Sequence, residues 1–201
     1  MKFKLCILLV VDSLKLLKSH FAKTPFSPRD IKGLGITQAQ FKPLLAEEQV
    51  LRLSRGVYVL PGADLDDESL FRAATMRIEG PSAICLLSAL AFYGITDQIP
   101  KKVWLLVPES KQTAHKDIRL LRRNDPQWKT GIVTHDGYKI TNIERTLVDA
   151  LALKRILGVS VGVSALKTAL ADKKTTLDKV LRMATQLKVD HRVMNYLEAL
   201  S

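Results

Sequence analysis

Residues 37–62 read TQAQFKPLLAEEQVLRLSRGVYVLPG. Thr37 offers a side-chain oxygen for a helix N-cap, and Phe41, Leu44 and Leu45 then fall on one face of a helix. Pro43 interrupts that pattern; it lacks an N–H, so it either sits late in the first turn or kinks the helix. Two short β segments follow, Val50 to Leu53 and Val57 to Leu60. They are joined by Ser54-Arg55-Gly56, where glycine suits the positive φ of a tight hairpin turn. Pro61-Gly62 ends the second segment. Arg52 and Arg55 stand at the entrance to a core strand that needs no cations, so they either serve solubility or meet something negative.

Working towards the N-terminus, Ser27 is an N-cap with Pro28 at the first helical position, and Gly33 or Gly35 ends a short helix. Before it, Leu14, Leu16, Leu17 and Phe21 recur at helical spacing from Val11 onward. The order helix, short helix, turn, helix, hairpin is that of a winged helix-turn-helix, in which the third helix enters a DNA groove and the hairpin is the wing. Met1 to Val10 form an apolar leader with a basic start. Asp12, Lys15, Lys18 and His20 follow directly and no small-residue cleavage site ends the run, which argues against a signal peptide. The run is too short to span a bilayer. It reads as a strand-like or helical extension packed on the body, or as residues added by an upstream start codon.

Beyond Gly62 the acidic link ADLDDE marks a domain boundary. A helix is expected from about Ser69 to Ile78, and a second, strongly apolar one opens at Ser82 and closes at Gly94. Strands are expected at Val103 to Pro108, Ile118 to Arg123, Gly131 to His135 and Tyr138 to Asn142, the last two joined by a turn at His135-Asp136-Gly137. From Ile143 the pattern is helical to the C-terminus, ending in a helix from His191 to Leu200. The expected fold is therefore mixed α/β (α+β). Residues 1–62 form the winged domain, with 1–10 an extension. Residues 63–201 form a helix-plus-sheet domain with a helical C-terminal tail.

Apolar residues are 47% of the 201 and charged residues 25%, enough for a core without disulfide staples. Cys6 and Cys85 lie in apolar runs and read as buried free thiols of a reducing compartment, which places the chain in the cytoplasm. The net charge of +11 favours a polyanionic partner. Thr37, Gln38, Gln40 and Lys42, early in the third helix, are placed to reach base edges or phosphate. Arg52 and Arg55 fit a wing on the DNA backbone or minor groove, and Lys32 adds a phosphate contact. The plainer alternative is a set of solvated polar positions, or a winged fold used as a protein-interaction module. A second basic concentration includes Arg119, Arg122 and Arg123, with Arg119 and Arg123 on one strand face and Arg122 on the other. It is either solubility charge, an extended DNA footprint or a surface for an acidic partner.

Enzyme signatures are weak. Asp64-x-Asp66 resembles half of a nucleotidyltransferase metal site, but the Gly-Ser turn such a site needs is missing upstream, and carboxylates there stabilise the start of a helix. The four histidines have no partners at metal-ligand spacing. Ser82, Cys85 and Ser88 lack a nucleophile-elbow frame. No catalytic residue, metal or cofactor is expected.

RLSRGVYVLPG, then PSAICLLSALAFYGITDQIPKKVWLLVP, then TNIERTLVDAL, together with the tail VMNYLEAL, resemble the AbiEi family of antitoxins from bacterial abortive-infection and toxin–antitoxin systems. The resemblance covers roughly Leu14 to the C-terminus, and SALAFYGITDQIP leading into VWLLVP is its most specific part. It implies a winged N-terminal domain that binds inverted repeats in the promoter of its own operon and represses it. It further implies a C-terminal domain that counters a nucleotidyltransferase-like toxin encoded nearby, in the type IV view without a stable complex between the two. By position, Thr37, Gln38, Gln40, Lys42, Arg52 and Arg55 would contact operator DNA. The apolar leader and Pro43 depart from the family's pattern. A different reading keeps the antitoxin role but assigns it to direct masking of the toxin, with DNA binding secondary.

Overall fold

The computed structural model describes residues 2–78, 80–124 and 126–198. The chain divides into two compact units, residues 1–79 and 80–201.

In the first unit the leader is helical. It is continuous with the helix expected from Val11, giving α1, Lys2–Phe21, of 20 residues. No helix among the described residues is long and apolar enough to cross a membrane. Helix α2, Pro28–Gly33, starts at a complete capping box: the Asp30 N–H donates to Ser27 Oγ, and the Ser27 N–H donates to the Asp30 carboxylate at 2.7 Å. Helix α3, Gln38–Ala46, repeats the device with Thr37 and Gln40, and it runs through Pro43 to Ala46.

The hairpin follows as β1, Leu51–Ser54, and β2, Val57–Val59. Gly56 has φ +74°, which its neighbour types adopt only with strain, and the register shifts between Arg52 and Ser54. Phe26 adds a third strand position that the sequence did not announce. Its N–H donates to the Tyr58 carbonyl and its carbonyl accepts the reciprocal bond from the Tyr58 N–H, both at 2.9 Å. Leu17, Phe26, Ile31, Ile36, Phe41, Leu44, Val50 and Leu60 form one buried cluster between α1, α2, α3 and the hairpin.

Helix α4, Asp67–Ile78, was expected at the head of the second domain, after a boundary at Gly62; it belongs instead to the first compact unit. Its buried Ser69 donates its hydroxyl to the Lys23 carbonyl at 3.2 Å, and its N–H donates to the Asp66 carboxylate at 2.8 Å. Hydrogen bonding from Ser69, side chain first and backbone second, holds the Asp66 carboxyl below its usual value. Asp66 is thus a helix cap.

The second unit is built on a five-stranded sheet. Its strands are β3 (Ala83–Ile84), β4 (Val103–Pro108), β5 (Ile118–Arg123), β6 (Ile132–His135) and β7 (Tyr138–Thr141), in the spatial order β5-β4-β3-β7-β6. Strand β3 corrects the expectation of a helix from Ser82: Ala83 and Ile84 pair antiparallel with β4, and Ile84 pairs parallel with β7. The helix α5 starts only at Leu86 and ends at Phe92. The β6–β7 turn has positive φ at both Asp136 and Gly137, as a two-residue hairpin requires.

Helices α6 (Ile143–Ala152), α7 (Lys154–Leu157), α8 (Val159–Ala171), α9 (Leu177–Gln186) and α10 (Asp190–Glu198) complete the unit. The expected end of the last helix at Leu200 lies outside the described residues, as does the side chain of Cys6; Cys85 is a buried free thiol. Every residue of α6 from Arg145 to Leu151 is buried, because α5, α8, α9 and α10 pack around it. Gly162 on α8 lets that happen: a Cβ there would lie 3.1 Å from the Ala150 carbonyl group. Arg145 is fully buried, with Nε donating to Asp149 Oδ2 at 2.6 Å and Nη1 to the Thr130 carbonyl at 2.8 Å.

Candidate nucleic-acid interface

The candidate residues of the first unit sit on α2, α3 and the hairpin, and the local sequence explains how they are held. Gly35, with φ +75°, turns the chain from α2 into the Thr37 cap, so Lys32 and the first turn of α3 come to one groove. That groove has a volume of about 680 Å³, and Lys32, Thr37, Gln38 and Lys42 line it. Gln38 and Lys42 are four residues apart and share a helix face. Its apolar floor includes Ile31, Ile36 and Phe41, with Tyr58 of β2 set edge-on to Phe41 at 5.0 Å between ring centres.

Two of the expected contacts are committed elsewhere. The Gln40 side-chain oxygen accepts from the Thr37 N–H at 2.8 Å and from the Thr37 hydroxyl at 2.7 Å. Thr37 and Gln40 therefore hold the start of α3. Gln38 and Lys42 are exposed. On the hairpin, Arg52 bends back, Nε donating to the Ser54 carbonyl at 3.4 Å, and Arg55 stands exposed in the turn. Lys32, Lys42, Arg52 and Arg55 have no carboxylate partner among the described residues. Sequence reasoning passed over Tyr58, which looked like one more alternating strand residue, and exposed Arg29, one turn before Lys32 on α2.

Arg119, Arg122 and Arg123 of β5 do not make a single surface. The Arg119 guanidinium lies 4.2 Å from the centre of the Trp104 ring, its partner in the β4–β5 register. Arg122 Nε donates to the Lys111 carbonyl at 2.7 Å, and Arg123 is half-buried. Among the described residues no three His, Cys, Asp or Glu side chains come together as a metal site would need. Of the net charge of +11, residues 80–201 carry +8, from 19 basic against 11 acidic residues, and residues 1–79 carry +3, from 12 against 9.

No protein-family model matches this chain, and no curated protein matches it.

Proposed function

We propose that the N-terminal unit is a winged helix-turn-helix that binds double-stranded operator DNA, and that the chain is an autorepressing antitoxin of the AbiEi kind, opposing a nucleotidyltransferase-like toxin. The observation that carries the DNA reading is the pair Lys32 and Lys42 on the groove at the capped start of α3, with Arg52 and Arg55 on the hairpin that follows in sequence, all four exposed and without a carboxylate partner among the described residues. Cations without carboxylate partners, and a helix N-terminus with free N–H groups, suit the phosphate backbone. Gln38 then reads base edges, and Arg55 follows the backbone or the minor groove. The antitoxin role is supported by the resemblance of SALAFYGITDQIP, VWLLVP and TNIERTLVDAL to that family. Fluorescence anisotropy with the DNA immediately upstream of the chain's own gene tests the reading: that duplex is expected to bind far more tightly than a scrambled duplex of equal length. Equal binding to both would remove the operator claim.

The second reading, masking of a toxin by direct contact, is favoured by one observation. Most of the positive surplus lies in residues 80–201 and not in the candidate DNA-binding unit. Co-expression with the neighbouring gene separates the two readings, since masking predicts a stable equimolar complex on purification.

A further inference from the structure

The C-terminal unit contains a cleft of about 690 Å³ where the end of α6 and the short α7 meet α10. Lys154, Arg155, His191 and Arg192 all line it, from two segments far apart in sequence. No aspartate or glutamate lines it; Asp190, next in the chain to His191, is outside the lining. The partners of these side chains are neutral. Lys154 Nζ donates to the Tyr196 hydroxyl at 3.3 Å and stands 5.8 Å from the centre of the Tyr196 ring. Arg192 Nε donates to His191 Nε2 at 3.4 Å. Among the described residues none of the four has a carboxylate partner.

Like charges converge on one concavity only against their mutual repulsion, which an anion there relieves. The rest of the lining is not generic either. The half-buried Tyr196 ring and the Ile156 side chain give an aromatic and aliphatic wall, and Asn195 presents an amide able to donate and accept together. Cations for phosphates, a ring for stacking and an amide for a base edge, in a space within the usual 300–1,000 Å³ of small-molecule sites, describe one chemical class. We propose that this cleft binds a nucleoside polyphosphate: Arg155, Arg192, Lys154 and His191 take the phosphates, and Tyr196 and Asn195 take the base. The site lies wholly within residues 80–201 and stands independently of the DNA reading.

Isothermal titration of the full chain with ADP, ATP and inorganic phosphate at low ionic strength tests this. Both nucleotides are expected to saturate a single site per chain, with inorganic phosphate at least tenfold weaker. Arg155→Ala combined with Arg192→Ala is expected to weaken ADP at least tenfold with an unchanged thermal melt, since both side chains are exposed. Tyr196→Leu is expected to weaken ADP and leave inorganic phosphate unaffected. Lys101→Ala with Lys102→Ala, exposed lysines outside the cleft, is expected to change nothing. Absence of saturable binding, ADP affinity unchanged in the Arg155/Arg192 variant, or phosphate binding as tightly as ADP would each overturn the proposal. So would a single-stranded oligonucleotide that displaces ADP at lower nucleotide concentration than ATP does, because the cleft would then belong to a polynucleotide.

Discussion

Tyr93, the residue after α5, donates its hydroxyl to the Thr141 carbonyl at 2.9 Å. Burial, and secondarily the Glu144 carboxylate, push its pKa up to about 12. The unfolded phenol loses its proton near its ordinary value of 10.0, so between that pH and 12 the unfolded state binds fewer protons than the folded one. Stability contributed by the protonated Tyr93 is therefore full below pH 10 and falls as pH rises towards 12. Urea unfolding of the native chain and of Tyr93→Phe across pH 9 to 12 is expected to show a steeper loss for the native chain, because the variant has no proton to release at this position. Parallel curves would show that the hydroxyl does not titrate differently on folding. Such couplings are not legible in sequence. Arg145 and Asp149, four apart in TNIERTLVDAL, look like an ordinary surface ion pair of a helix. Only the placement of α6 in the middle of its unit makes them a fully buried one.

At the scale of elements, most of the fold was legible, and each exception has a physical cause. Strands β4 and β5 stand where hydrophobic runs and their boundaries put them. Ser27 and Thr37 cap their helices as their side chains suggest. Strand β3 was hidden because Ala83–Ile84 is two residues long and leads into an apolar helix; no periodicity separates them, and only pairing on both sides makes it a strand. The Phe26 bridge was hidden because a single residue paired with Tyr58 leaves no periodicity to read. Pro43 poses the opposite case, a breaker that does not break. Helix α3 continues to Ala46, although Pro43 offers no N–H to the Ala39 carbonyl one turn earlier. Ala39 is exposed, so water can satisfy that carbonyl. Pro43→Ala restores the donor and removes the ring from the preceding turn. It is expected to raise the stability of the first unit by up to about 3 kcal/mol, seen as a higher urea midpoint at unchanged slope.

At the scale of the whole molecule, total charge is a poor guide to where an interface lies. The surplus of +11 is visible in the sequence, yet the larger share sits in residues 80–201. The α3 and hairpin candidates could be read as a group because they are close in sequence. The cleft cations could not, because Lys154 and Arg192 meet only through the packing of α10 beside α6 and α7. What separates an interface from solubility charge is the number of cations that actually displace counterions, and this can be measured. If Lys32, Lys42, Arg52 and Arg55 are the phosphate contacts of the proposed winged unit, the plot of log Kobs against log salt for operator DNA has a slope of about −3.6, from roughly 0.9 per neutralised phosphate. Arg55→Ala is expected to weaken binding several-fold and flatten that slope by about one, while a neutral substitution at Gln38 changes sequence preference and leaves the slope alone. A native slope far steeper than this would bring basic residues of the second unit onto the DNA. A slope unmoved by Arg55→Ala would take the hairpin off it.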